Sequence, residues 1–201
     1  MRLLPALALL PLLAACELSL PALPGQGLRE VQILDKTLTV AAPRGYCIDP
    51  ATSVDTGEAV VVLIGRCTSG GQVAAALLSM TIGTPGSAGV LAAGPDALSS
   101  FFTSVPGRKL LARDGVAAHV IVTEVKFGEG SLFLHLQDQE AGEYWRAIAG
   151  IQGRLVTISA SGATGAPLTP EQGFKLVLET VELLDKRNPD SAPPAKPASA
   201  G

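Results

Sequence analysis

The chain has 201 residues, 47% of them hydrophobic and 16% charged, with 22 Gly, 15 Pro and few aromatics. That length suits one domain with a real core, and the apolar fraction argues against disorder over most of it. Fifteen Lys and Arg against 18 Asp and Glu give a formal net charge of −3, so no basic excess is at hand to neutralise a phosphate backbone, and no nucleic-acid partner is expected.

The first element is an export signal over residues 1–15. Arg2 precedes an apolar stretch from Leu3 to Leu13, and small residues follow. The stretch is short for the roughly 20 residues that span a bilayer. Its end, Leu13-Ala14-Ala15-Cys16, resembles the bacterial lipobox. The resemblance implies that Cys16 receives a diacylglycerol, that cleavage falls before it, and that the new amino terminus is acylated, with palmitate a natural chain. Leu13, Ala14 and Ala15 are then recognition positions. Three acyl chains exceed the two signals that stable anchoring takes, so the membrane itself becomes a partner. Glu17 rather than Asp follows the cysteine. By likeness to sorted bacterial lipoproteins, this favours the outer membrane over the inner, facing the periplasm.

Residues 16–29 read as a lipid-anchored tether, with Pro21, Pro24, Gly25 and Gly27 blocking regular structure. The domain is expected over 30–187. Beyond it, residues 188–201 form a Pro/Ala-rich tail with no side chain large enough to anchor a core, so disorder or polyproline II is the default.

Within the domain, strands are expected at 37–42, 58–65 and 74–82. Cys47 and Cys67 each lie just past one of the first two. With Cys16 lipidated, they are the remaining pair in an oxidising space, and a disulfide between them would close a loop of about 20 residues. A redox pair would favour closer Cys-x-x-Cys spacing. A metal site is not expected, since only His119 and His135 could add soft ligands.

A helix is expected from Pro95, with Leu98, Phe101, Phe102 and Val105 on one stripe and Pro106-Gly107 as its stop. A short strand at 108–113 and the turn Asp114-Gly115 then lead into a strand over Val116–Phe127. Gly128-Glu129-Gly130 reverses the chain into Ser131–Gln137, where Leu132, Leu134 and Leu136 share one face. A second hairpin pairs 143–151 with 154–161 through Gln152-Gly153. The last helix opens on Thr169-Pro170-Glu171-Gln172, a capping box with Pro at the first helical position. Phe174, Val177, Leu178, Val181 and Leu184 form its apolar stripe, and Lys186 and Arg187 complement its carboxyl end.

Hairpins instead of crossovers give an α+β class: a mainly antiparallel sheet of six to eight strands packed by two principal helices. The element order over residues 35–187, with Pro43-Arg44-Gly45-Tyr46 as an aromatic turn after the first strand, resembles the PsbP/Mog1-like family. The resemblance implies a fold; no residue signature of that family is matched, so no site comes with it. Some proteins of that architecture assist assembly of membrane complexes.

Candidate chemistry is sparse. Asp35-Lys36-Thr37-Leu38-Thr39 resembles the phosphorylation motif of P-type cation-transport ATPases with a Gly-Thr deleted. An aspartyl-phosphate needs that loop glycine, a magnesium site and a nucleotide domain, so the segment reads as a turn entering a strand. No phosphate-binding glycine loop and no Gly-x-Ser-x-Gly is present, and no cofactor is expected. His119 and His135 are the candidate bases, placed on opposite arms of one hairpin, with His135 facing Glu124. In Tyr144-Trp145-Arg146, Trp145 points opposite to its neighbours and is a possible partner contact if exposed, or a core residue against the final helix if not. The leading expectation is a non-catalytic, lipid-anchored, periplasmic envelope protein that binds a protein partner or supports assembly of an envelope complex. The alternatives are a small-ligand-binding lipoprotein serving a transporter and a His-dependent hydrolase.

Overall fold

A computed structural model describes residues 27–56, 59–68, 72–163 and 165–189. The signal segment, Cys16 and most of the tether and tail lie outside them. The strands are β1 (Glu30–Ile33), β2 (Leu38–Ala41), β3 (Tyr46–Ile48), β4 (Val54–Asp55), β5 (Val60–Arg66), β6 (Ala76–Pro85), β7 (Val120–Gly128), β8 (Ser131–Asp138), β9 (Gly142–Ile151) and β10 (Arg154–Gly162). The α-helices are α1 (Pro95–Thr103), α2 (Val105–Leu111) and α3 (Pro170–Arg187). The architecture is α+β. One antiparallel sheet runs β3-β5-β6-β10-β9-β8-β7, with β4 also on β5, and β1–β2 form a separate hairpin.

The two faces of the sheet are covered unequally. On one face α3 and the β1–β2 hairpin close a continuous core: Val60, Val62, Ile64, Leu78, Met80, Ile82, Phe133, Trp145, Ile158, Val177 and Leu184 are buried together. Each such side chain stabilises by about 2 kcal/mol. On the other face, α1 and α2 cover the β7–β8–β9 end, around Leu98, Leu111, Leu132, Leu134, Leu136 and Ile148, and a 3-10 helix over Ser87–Ala93 packs across the β9–β10 turn end of β6, β9 and β10. Strand β8 is therefore buried on both sides and reads as an apolar run, whereas β6 keeps the alternation of a half-covered strand.

The final helix carries its expected capping box. Thr169 Oγ1 accepts from the Gln172 backbone N–H at 3.3 Å, and the Gln172 side chain returns a 3.0 Å bond to Thr169 N–H. Its carboxyl end is tied down further along than the sequence suggests. Asn188 is 5% exposed; its side chain accepts from Thr39 N–H at 2.7 Å and donates to the Thr39 and Leu184 carbonyls, both at 2.8 Å. Asn188, expected to open the tail, therefore belongs to the domain. At the other end, Leu28 already exchanges both backbone bonds with Ile48, ahead of the expected domain start at residue 30.

The middle of the chain departs from expectation. Pro106-Gly107 does not stop a helix and no strand covers 108–113: the chain turns at Ser104 and begins α2. Ser104 Oγ accepts from Gly107 N–H at 3.3 Å, and Pro106 falls in the first turn, where its missing N–H costs nothing. Gly107 is required because a Cβ there would lie 2.0 Å from the Phe101 carbonyl oxygen. Three α-helices thus stand where two principal ones are expected. Of the stripe on α1, Leu98 is buried and Phe102 partly so, while Phe101 and Val105 face solvent. Strand β7 starts at Val120 because Ala117–His119 forms a 3-10 turn. Strands β1, β3 and β4 are additional, each of two to four residues.

The Cys47–Cys67 disulfide is present, with Cα atoms 4.9 Å apart. It fastens the three-residue edge strand β3 to the end of β5, where backbone pairing alone is short. Asp35-Lys36-Thr37 lies in the β1–β2 turn. Leu34, Asp35 and Lys36 all take left-handed φ, and Thr37 bonds back to the Leu34 carbonyl.

Two substitutions test these contacts by chemical denaturation. Asn188→Ala should cost about 2–3 kcal/mol, since it strands Thr39 N–H and C=O together; a loss within 0.5 kcal/mol of zero contradicts the pin, roughly the scale of a neutral surface change. Gly173→Ala, which on helix propensity alone should stabilise by about 1 kcal/mol, should instead destabilise by about 1–3 kcal/mol, because the new Cβ would sit 2.9 Å from the buried Trp145 ring.

Candidate functional site

The uncovered part of the second face is built by strand register. Ser79 of β6 pairs with Ser159 of β10, which pairs with Arg146 of β9. One step along, Thr81, Thr157 and Ile148 align; one step the other way, Leu77, Ser161 and Tyr144 do. Alternation sends these nine side chains to the same side. The result is hydroxyls on two adjacent central strands, with an arginine at the boundary where α2 begins to cover the sheet.

A groove of about 390 Å³ runs between these rows and the end of α2. Its floor carries Ser79, Ser159, Ser161 and Arg146, and its rim Leu77, Leu110 and Arg113. Arg146 Nε donates to Ser159 Oγ at 3.0 Å, and the guanidinium carbon lies 5.4 Å from the Tyr144 ring centre. Tyr144 is buried, which pushes its phenol above the ordinary value, while the nearby Arg146 charge pulls the other way. A second cleft of about 380 Å³ continues along the same face, past Thr81, Thr157 and Ser87.

Asp138 fixes the end of the groove. It is 5% exposed, and its carboxylate accepts from Glu140 and Ala141 N–H through Oδ1 and from Arg113 N–H through Oδ2, at 2.8–3.0 Å. Burial pushes the carboxyl pKa up. The N–H donors of Ala141, Arg113 and Glu140 together outweigh that, and the net is a pKa below the ordinary value.

The histidines lie elsewhere. His119 ends the 3-10 turn, outside a strand, with Nδ1 2.5 Å from Asp114 Oδ2. Asp114 is held below the usual carboxylate value chiefly by the Val116 N–H and then by His119. His135 does pair in register with Glu124, as the hairpin arithmetic requires. Its side chain takes other partners: Thr123 Oγ1 is 2.8 Å from Nδ1 and Glu143 Oε1 is 2.9 Å from Nε2. A bulge between Val122 and Glu124 brings Thr123 into place, and Glu124 turns to Lys126 at 3.0 Å. Hydroxyl, imidazole and carboxylate thus meet, in the composition of a triad. The void against His135 and Glu143 is about 10 Å³, the room of one water molecule, and the His135 ring stacks on Trp145 at 4.8 Å. Thr123 is exposed and does not line that void, and the Glu143 side chain is 45% exposed, so only His135 of the three is enclosed.

Trp145 itself is 2% exposed. It packs on Phe174 at 4.8 Å and under Lys126 Nζ, so as a partner contact it is corrected: the ring belongs to the core between the sheet and α3. The residue of that cluster that reaches an open surface is Arg146. Period-two alternation already separates Trp145 from Tyr144 and Arg146, but the sequence does not say which side stays uncovered. Among the described residues no group of three or more His, Cys, Asp or Glu is arranged to hold a metal. No family model matches the chain, and neither does any curated protein or solved structure.

Asp138→Ala tests the end of the groove. A lowered folded pKa means that the stabilisation is complete above the unfolded value and is lost as pH falls through the folded one. Against wild type, the variant should lose about 1–3 kcal/mol at neutral pH, and the gap should be constant above about pH 5 and narrow below about pH 4. A gap that does not change with pH shows that the ionised carboxylate does not hold the loop.

Proposed function

We propose that this chain is a lipid-anchored, periplasm-facing envelope protein that works by binding and not by catalysis, and that the groove beside α2 is its binding face. The lipobox-like Leu13-Ala14-Ala15-Cys16 supports the anchor, and the Cys47–Cys67 disulfide suits an oxidising compartment. Helices on both faces of an antiparallel sheet are in keeping with the PsbP/Mog1-like architecture, whose bacterial members include lipoproteins. Glu17 favours the outer membrane.

The observation that carries the binding reading is where polar groups converge. The hydroxyls and guanidinium that face open space line clefts of ligand size, whereas both histidines are held in local pairs away from those clefts. A general base must reach a substrate proton, and both ring nitrogens of the buried His135 already face Thr123 and Glu143. The groove also gives the small-ligand alternative a concrete place. A partner without such a ligand would have to insert a side chain into the same groove.

Complementation of a deletion strain separates the readings. Cys16→Ser should take no palmitate label and should lose the cellular role. Ser79→Trp, which fills the groove, should lose it too with folding preserved by circular dichroism. His119→Ala and His135→Ala should each retain it. A folded histidine variant that fails to complement would promote the hydrolase, and normal palmitate labelling of Cys16→Ser would remove the anchor.

A further inference from the structure

We infer that the groove takes a small acidic amphiphile, a ligand with one carboxylate or phosphate group on a short apolar body, and that Arg146 receives the acidic group. The inference rests on the reading of the groove as the binding face and adds to it the chemistry of the ligand.

Arg146 differs from Arg29, Arg154 and Arg187 in what its head group does, and its place on the groove floor, fixed by Ser159 and the Tyr144 ring, sets it apart. Arg29 spends Nη donors on the Tyr46 and Ala42 carbonyls, Arg154 on the Gly83 carbonyl, and Arg187 meets the Glu30 carboxylate. Arg146 donates only through Nε, to Ser159, and among the described residues no carboxylate lies within ion-pair distance of it. Its Nη edge, the edge that grips a carboxylate or phosphate in a fork, is thus uncommitted, while the Nε bond and the Tyr144 ring fix the plane. A partly buried, oriented and unneutralised guanidinium favours an anion.

The surroundings agree on sign and shape. Arg113 on the rim adds a second positive charge, and among the described residues no acidic side chain lines the groove. The nearest buried carboxylate, Asp138, has both oxygens occupied by backbone N–H groups. Ser79 and Ser161 supply hydroxyls beside the guanidinium. Leu77 of β6 and Leu110 of α2, 46% and 71% exposed, both line the groove and can cover an apolar body. The volume of about 390 Å³ belongs to a small molecule. A cationic ligand would face two arginines, and a sugar would find no open aromatic ring, since Tyr144 is 5% exposed.

The acidic group could come from a soluble acid or from a lipid headgroup, and two arms distinguish them. In the first, the mature lipid-anchored protein in phosphatidylcholine nanodiscs is titrated calorimetrically with hexanoate, hexyl phosphate, hexanamide and hexylammonium. The acids should bind at least about tenfold more tightly than the amide or the amine, and Arg146→Gln should lose about tenfold, with Arg146→Lys keeping part of the affinity. In the second, the protein is placed in nanodiscs containing phosphatidic acid without a soluble probe, and the Nε–Hε resonance of Arg146 is followed. Binding of the acids in the first arm, or an Arg146 shift in the second that is absent in phosphatidylcholine nanodiscs, supports the site and identifies the source. Equal affinity for hexanoate and hexanamide together with an unmoved Arg146 resonance overturns it. If that happens while Ser79→Trp still abolishes the cellular role, the ligand class is wrong and the binding face stands; if Ser79→Trp retains the role, the binding face itself falls.

Discussion

Eight strands of antiparallel sheet have two faces to cover, and the chain supplies full cover for only one. Helix α3 and the β1–β2 hairpin close the first face from β5 to β8. On the second, α1 and α2 are short and lie over β7, β8 and β9, and the 3-10 helix Ser87–Ala93 covers only the β9–β10 turn end. This unequal cover explains the composition of the strands. Where both sides are buried, as in β8, consecutive residues are apolar. Where one side is left open, as in β6 and β10, Ser and Thr alternate with Leu, Met and Ile. The open side is polar enough to remain in water, and its hydroxyls end at a guanidinium.

Short elements at the margins are held by specific bonds in place of area. The three-residue strand β3 relies on the Cys47–Cys67 disulfide, the end of α3 on Asn188, and the end of α2 on the carboxylate of Asp138. Each replaces backbone pairing that the chain is too short to provide at that point. The long edge strand β7 is protected differently. It carries a bulge, Glu124 and Lys126, which discourage pairing with another chain.

The same geometry separates chemistry from opportunity. Thr123, His135 and Glu143 have the residue types of a hydrolytic triad, but the imidazole is buried against the stacked Trp145 and the void it lines has space for a single water molecule. Arg146 has no triad and no metal ligands around it but faces a groove. Accessible volume, more than residue identity, distinguishes these two clusters.

Local rules made much of the fold legible from sequence. Capping chemistry marked α3, because Thr169, Pro170 and Gln172 act within one turn. Period-two alternation and Gly-containing turns marked the β7–β8 and β9–β10 hairpins closely enough to pair Glu124 with His135. Compartment and parity marked the Cys47–Cys67 bridge. The α1–α2 region was misread because Pro106-Gly107 is a stop signal locally and a helix start once Ser104 caps it and Phe101 needs a neighbour without a Cβ. Asn188 looked like tail because its three bonds reach Thr39, 149 residues away, and Leu184. Which residues alternate, pair and cap can be read along the chain, since those depend on near neighbours. Which side of the sheet α1 and α2 leave open, and so why Trp145 is core and Arg146 faces a groove, follows from packing alone: burial depends on what reaches across the sheet from distant parts of the chain.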